Sequence, residues 1–414
     1  MPNHLVTQIT YRLEKWRAVF TGILDTAAST FLLAIAVREF QAGALAKAFI
    51  ASGFSLGLLC SPIVVSTVER ACVPPAQAAA QVLAFGSLTF LITSLWKTEW
   101  VFVCGAALAT ASFAYIIPLL TQVYQENYPE ETRGQLFAHT TVIRIVSGAI
   151  AAHLLGLLLT NHIIGFTLLL DTFALAMAIS AFLVSKIPSK PLTPCGGGHP
   201  FKALRFIQQD RLFRRTLLGW MFLGFGNLMM VPLRVEYLAN PKYSVKISGE
   251  LLTIGAVALY TTVIPNIARV AVNPLWGYLF DRANFFVLRV ALNIGFMVGI
   301  VTFFMSNSPL GLAIGSAAYG IALSGGDVAW GLWVTKFAPP DRVADYMAAH
   351  TFLTGVRGIL APIISFQLTH FLSIQIVSLI AAGLIFIGTV VFFTEIRAGS
   401  TSKKGTIVIE EISE

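Results

Sequence analysis

The sequence predicts an all-α, polytopic membrane protein with about twelve transmembrane helices in two six-helix halves. Three observations carry that reading. Hydrophobic residues make up 56% of the 414 residues and charged residues only 12%, with mean hydropathy +0.76. A water-soluble domain has too little interior to hide that much apolar surface. Apolar runs of about 20 residues, the length that spans a bilayer, recur along nearly the whole chain. The largest polar interruption falls near the middle, at 186–215.

The apolar runs place helices near 17–37, 43–64, 77–95, 100–123, 137–160 and 164–185, then near 216–237, 251–279, 287–306, 311–336, 345–370 and 372–394. The expected organisation is an N-terminal six-helix bundle over 1–185, a cytoplasmic basic linker over 186–215, a C-terminal bundle over 216–394 and a polar cytoplasmic tail over 395–414. Within the linker, 201–215 reads as a short basic amphipathic helix at the membrane surface. The first apolar run contains Asp25, is too long for a signal-peptide h-region and lacks a small-residue cleavage site, so it reads as a span.

The formal charge of +8 does not point to nucleic acid, because its distribution follows the membrane. With the amino terminus inside, most of the 28 Lys and Arg residues fall in cytoplasmic segments, among them Arg12, Lys15, Arg17, Arg70, Arg133, Lys186, Arg211, Arg214, Arg215, Arg282, Arg289, Lys336 and Arg397. Only Arg38, Lys47, Lys97, Arg234, Lys242 and Lys246 lie at the outer ends. This is the positive-inside bias, and it puts both termini in the cytoplasm of a cell (inner or plasma) membrane. Cys60, Cys72, Cys104 and Cys195 are scattered, without a CxxC or Cys/His cluster, so neither a metal nor a cofactor is expected.

A weak internal repeat supports the two halves. Gly22-Ile-Leu-Asp25 answers Gly224-Phe-Gly-Asn227 at an offset of 202. Glu69-Arg70 answers Asp281-Arg282 at an offset of 212, and Ala138-His139-Thr140 answers Ala349-His350-Thr351 at an offset of 211. Repeats of this kind suit proteins that rock one half against the other around a midplane site.

Between the eighth and ninth predicted helices, Trp276-Gly-Tyr-Leu-Phe-Asp-Arg282 followed by Arg289 resembles the loop signature of the major facilitator superfamily. The N-terminal counterpart, Val65-Ser-Thr-Val-Glu-Arg70, keeps only the acidic–basic pair and lacks the glycine. Tyr128-Pro-Glu-Glu-Thr-Arg-Gly134 and Pro339-Pro-Asp-Arg342 also look like that family. The resemblance implies a cytoplasmic conformational latch built from Gly277, Asp281, Arg282 and Arg289, with Glu69 and Arg70 as the degraded copy. It also implies a central cavity lined by helices 1, 4, 7 and 10, with 2, 5, 8 and 11 at its sides. Helix 5 lacks the G-P-x-x-G-G pattern of the superfamily's drug antiporters, since Arg144-Ile-Val-Ser-Gly-Ala149 stands there.

Six ionisable residues fall well inside predicted spans: Asp25, Asp171, Asp327, Arg144, Arg269 and Arg357. A charge at helix centre costs roughly 2.5–3.5 kcal/mol on insertion scales, so each must be paired, protonated or turned to a wet cavity. Thr262, Asn266, Arg269 and Asn273 form one polar stripe at helical period, and such a stripe must look inward. Asp171, on a helix expected at the periphery, reads as structural, held by a buried hydrogen bond. The expected pairs are Asp25 with Arg144, and Asp327 with either Arg357 or Arg269, leaving one guanidinium free for substrate. A free arginine recognises carboxylate or phosphate, and a desolvated aspartate carries a proton. Gly325-Gly326 before Asp327 either unwinds the helix locally or lets it pack closely.

These readings converge on a secondary active transporter, working as a monomer by alternating access. It would be proton-coupled and would move a small anionic or zwitterionic metabolite. The alternatives are a drug or metabolite efflux antiporter and a non-transporting receptor of the same fold. The charges simply pairing to fix helix packing also stays open. A P-loop, a metal-site motif and a nucleophile–base motif are all absent from the sequence, which argues against an ATP-driven pump and against an enzyme.

Overall fold

The computed structural model describes residues 4–191, 204–247, 250–336 and 343–397. The N-terminal half holds α1 (His4–Arg38), α2 (Ala44–Ala71), α3 (Pro75–Leu95), α4 (Glu99–Tyr115, continued by Ile117–Asn127), α5 (Glu130–Thr160) and α6 (Phe166–Ser185). The C-terminal half holds α7 (Arg211–Ala239), α8 (from Ile254 to Arg282), α9 (Phe285–Met305), α10 (Pro309–Leu332), α11 (Val343–Phe371) and α12 (Ile374–Arg397). Ten helices among the described residues are long and apolar enough to cross a bilayer. The count is eleven if the two arms of α2, bent by 41° at Pro62, form one span. The helix outside that count is α10.

Hydropathy misplaces two helix starts for the same reason. α1 begins at His4 rather than near 17, because its polar first turns are satisfied by the end of α4. Asn127 donates to Thr10 Oγ1 (3.0 Å), and the Asn127 carbonyl accepts from Thr7 (2.7 Å). α7 begins at Arg211, where the Asp210 side chain caps the Phe213 amide (2.9 Å). Arg211, Arg214 and Arg215 are thus the first turn of a spanning helix. The amphipathic helix expected over 201–215 shortens to Arg205–Gln209. Cys195, the 192–203 part of the linker, Pro339–Arg342 and the tail beyond Arg397 lie outside the described residues.

The packing repeats between the halves. α1 lies on α5 as α7 lies on α11, α2 on α4 as α8 on α10, and α3 on α6 as α9 on α12. The interface between the halves is itself symmetric, with α2 against α11 and α5 against α8. Glycine sets the distances, since in lipid small residues let helices approach for dispersion contact. A Cβ on Gly22 would stand 2.0 Å from Ser147 Oγ and 2.3 Å from the Arg144 carbonyl oxygen; one on Gly224 would stand 2.3 Å from Arg357 Cζ. The Gly22/Gly224 repeat therefore marks equivalent α1–α5 and α7–α11 crossings.

Two further elements interrupt helical regularity. Ala27–Phe31 in α1 and Leu259–Val263 in α8 are each one π-helical turn, a wide turn that re-aims the residues after it. At the end away from the chain termini, Lys246–Ile247 and Glu250–Leu251 pair as a two-residue antiparallel ribbon between α7 and α8.

Substituting Gly22→Ala is expected to push α1 and α5 apart and to lower stability by about 1–3 kcal/mol. Gly383→Ala, where a Cβ meets nothing within 4 Å, should be neutral within about 0.5 kcal/mol. Thermal unfolding of both variants in detergent compares them directly.

Candidate functional site

Mid-depth in the bundle, two ion pairs come together from opposite halves. In the N-terminal half, Arg144 Nε on α5 lies 3.4 Å from Asp25 Oδ2 on α1. In the C-terminal half, Arg269 Nη2 on α8 lies 2.5 Å from Asp327 Oδ2 on α10. Arg269 is held further by Asn266 Oδ1, which accepts from its Nη1 at 2.9 Å. Ser324 ties α10 to the same stripe, donating to the Arg269 carbonyl (3.1 Å) and to Asn273 Oδ1 (3.2 Å). Asp25 feels the charges of Arg269 and Asp327 as well as that of Arg144. Asn266 Nδ2 comes within 3.6 Å of the position of a Cβ on Gly148, one turn beyond Arg144. The four charges thus form one group across the boundary between halves.

Exposure within the group is uneven, and this shapes its chemistry. The Asp25 and Asp327 side chains are 39% and 46% exposed, whereas Arg269 is only 14% exposed. The group sits at the boundary between the halves, and its exposed carboxylate faces look onto open space there. The carboxylates present free lone pairs to that space, and each guanidinium is engaged by an acid. Two negative and two positive charges sum to zero.

Arg357 belongs elsewhere. Rather than pairing with Asp327, it lies buried on α11 and donates through Nη1 to the Trp220 carbonyl of α7. The missing Cβ of Gly224 makes room for its guanidinium. Among the described residues, no guanidinium is thereby left free beside Asp327. Gly325 and Gly326 leave α10 helical; a Cβ on Gly325 would stand 2.4 Å from Leu292 and 2.7 Å from Trp276, so these glycines serve close packing. Asp171 is half-buried on α6 and makes no hydrogen bond among the described residues, contrary to the buried bond expected of it.

Of the expected latch, only the side chains of Arg70, Arg282 and Arg289 are described. The side chains of Glu69 and Asp281, and Gly277, lie outside the described residues. Arg70 is exposed at the end of α2. Arg282 folds back on its own helix, donating to Tyr278 Oη (2.6 Å) and covering that ring at 4.3 Å. Arg289 is not a loop residue: it sits one turn into α9, 2% exposed, with its guanidinium 4.1 Å from the Trp220 ring centroid.

Hydropathy concealed two other polar groupings. Near the termini end, Glu14 and Arg17 form a two-pronged pair (2.8 and 2.7 Å), and Tyr124 donates to Glu14 Oε2 (2.6 Å). At the opposite end the halves are joined. Lys47 on α2 donates to Glu236 Oε1 on α7 at 2.6 Å, and Asn240 donates to the same oxygen at 2.8 Å. Both charged side chains are nearly out of solvent. Tyr243, in the loop that follows α7, is pushed up to about 12 by burial, with the Glu236 carboxylate adding to the rise. Arg38 donates to the Leu252 carbonyl (2.8 Å), and Thr30 meets Thr261 and Thr262 (2.8 and 2.6 Å), so the two π turns face each other across the boundary. From sequence, Lys47 looked like an outer loop charge, and Glu236 carried no signal beyond being an acid inside an apolar helix.

The match to the Major Facilitator Superfamily covers residues 236–410, the half whose loop signature is intact. Over the whole chain, the nucleoside transporter NupG superposes with TM-score 0.72 at 14% identity, covering 95% of this chain and 99% of that one. The chain has the major facilitator superfamily fold. A bacterial homologue of the human lysosomal transporter Spinster, in an inward-facing and occupied conformation, superposes with TM-score 0.69 at 11% identity (95% and 96% covered). A POT family transporter in complex with a thioalcohol-conjugated peptide gives 0.71 at 10% identity (95% and 96%). No curated protein sequence matches the chain. The family match over the C-terminal half and the shared fold make this a membrane-embedded, multi-span protein.

Breaking the Lys47–Glu236 pair with Glu236→Gln leaves a buried ammonium without its counter-charge, a loss on the order of 3–5 kcal/mol to the state closed at that end. Spin labels at Gly43→Cys and Lys246→Cys in a cysteine-free background should move apart in that variant. The exchange Lys47→Glu with Glu236→Lys should bring them back together.

Proposed function

We propose that this protein is a secondary active transporter that moves a small zwitterionic metabolite by alternating access, coupled to protons through Asp25. The observation that carries the reading is the four-charge group Asp25–Arg144–Arg269–Asp327, shared between the two halves at mid-depth. A site divided between two rigid bodies changes its geometry when they rock, which is what alternating access requires. Its zero net charge, with both guanidiniums already engaged, favours a ligand carrying both signs over a simple anion. An amine or other donor meets the open carboxylate oxygens, while a carboxylate on the ligand competes for Arg144, the more exposed of the two arginines.

Proton coupling rests on the same arrangement. Asp25 is held at 3.4 Å by one arginine, so protonating it releases Arg144 and removes one of the ties within the group. The far-end contacts through Lys47, Glu236, Arg38 and Thr30 support a state closed on that side. If both termini are cytoplasmic, as the positive-inside bias indicates, a state closed at the far end is the inward-open one of the cycle. In this reading the protein is a multi-pass monomer of the cell membrane, with residues 1–185 and 211–394 as the rocking halves and 186–210 as the cytoplasmic tether. Among the superposed proteins are transporters named for nucleosides and a POT family member bound to a peptide conjugate. The first substrates to test therefore include nucleosides and short peptides beside amino acids.

The test is uptake into proteoliposomes of amino acids, peptides, nucleosides, sugars, organic anions and drugs, with and without a pH gradient. Gradient-driven accumulation is expected for a zwitterion. Asp25→Asn should keep counterflow and lose accumulation altogether. Equal loss of both would assign Asp25 to structure, and binding without any flux would make the protein a receptor.

A further inference from the structure

Apart from the central group, the C-terminal half buries a second set of charges that no acid among the described residues balances. Arg289 on α9, Arg357 on α11 and His350 on α11 are 2%, 4% and 0% exposed. Arg289 and Arg357 lie within range of each other's charge, and both act on His350. Among the described residues, no carboxylate acts on any of the three. Arg289 Nε and Nη1, Arg357 Nε and both ring nitrogens of His350 are buried without a hydrogen-bond partner. Around them stands an aromatic box: the His350 ring lies 5.3 Å from Trp220, 5.8 Å from Trp330 and 5.2 Å from Trp333.

Another arginine of the same half shows how the fold treats a single buried guanidinium. Arg234 donates to the Tyr260 carbonyl (2.9 Å) and lies between the rings of Phe303 and Tyr319, at 4.8 and 4.5 Å. Carbonyl and π faces are enough for one cation. Two cations side by side repel, and in a medium of low dielectric that repulsion is large. Where the N-terminal copy puts Asp25 three residues after Gly22, the C-terminal copy puts Asn227 three residues after Gly224, so α7 offers no acid at that position.

We propose that the Arg289–Arg357–His350 cluster binds one small monovalent anion of the halide class, seated against the indole of Trp220. The anion supplies the missing negative charge and accepts from the orphaned N–H groups. A small ion is favoured over a tetrahedral oxyanion, since the Arg357 guanidinium already occupies the notch at Gly224 and three indoles stand around His350. Weakly hydrated halides also enter an aromatic-lined site at lower desolvation cost than strongly hydrated ions. Arg289 is four residues into α9, about 6 Å from its start at 1.5 Å per residue, so the site lies close to the termini end of the bundle.

The experiment uses full-length protein in detergent, melted in sodium chloride, sodium bromide or sodium gluconate at matched ionic strength. Chloride and bromide should raise the melting temperature saturably, by about 2–4 °C, and Arg289→Gln should abolish the rise. Bromide also quenches indole emission, so wild type should show a saturable quenching component that Trp220→Phe lacks. Should Arg289→Gln not fold, the comparison of wild type with Trp220→Phe decides alone. Equal melting in halide and gluconate overturns the proposal, as does quenching that rises linearly and identically in Trp220→Phe. Stabilisation that persists in Arg289→Gln overturns it as well.

Discussion

A charge inside a bilayer has to be answered by another charge, by a carbonyl or ring, or by water, and the interior of this protein is arranged by how each of its charges is answered. Asp25 with Arg144 and Asp327 with Arg269 are answered in pairs, one pair from each half. Because the four come together at the boundary, the most demanding electrostatic requirement in the molecule falls where the halves meet. Polar stripes on α1, α5, α8 and α10 then have to face inward, and the outward faces are left to lipid. The helix rotations follow from that requirement more than from any preference of the backbone.

The same logic separates the two ends of the molecule. Away from the termini, the halves are joined by a buried ion pair, an arginine–carbonyl bond and hydroxyl contacts between two π turns. These are directional, satisfied interactions that hold one relative position and are lost when it changes. Nearer the termini, each half keeps its own polar set, Glu14–Arg17–Tyr124 in one and Arg289–Arg357–His350 in the other. The first is internally neutral, with an acid meeting its arginine in a two-pronged contact. The second is cationic. Two bundles built on one repeat have therefore diverged in charge while keeping their helix crossings, as the matched Gly22 and Gly224 contacts show.

Much of the architecture was legible from the chain. Apolar run length and charge bias place most helices to within a few residues, because a bilayer imposes a minimum length and a polarity on every span. The stripe Asn266, Arg269 and Asn273 is visible because helical period maps sequence spacing onto a face. Hydropathy failed where polarity is satisfied internally. The first thirteen residues of α1 look too polar to be helix until Asn127 and Tyr124 are seen to complete them, and Glu236 gives no sign that Lys47, 189 positions earlier, is its partner.

By itself, then, the sequence determined that this is a polytopic helical membrane protein with an internal repeat, and it named the ionisable residues that the membrane would have to accommodate. Only the tertiary structure decided which charge answers which. Arg269 and Arg357 sit at similar depth on their helices, so spacing along the chain treats them alike as partners for Asp327. The choice is made by helix packing. α8 lies against α10 and brings Arg269 to the acid, while α11 lies against α7 and turns Arg357 into the notch at Gly224. Depth and facing are local properties of one helix and can be read from period. Pairing is a property of two helices and of the contact between them, and no single stretch of chain contains it.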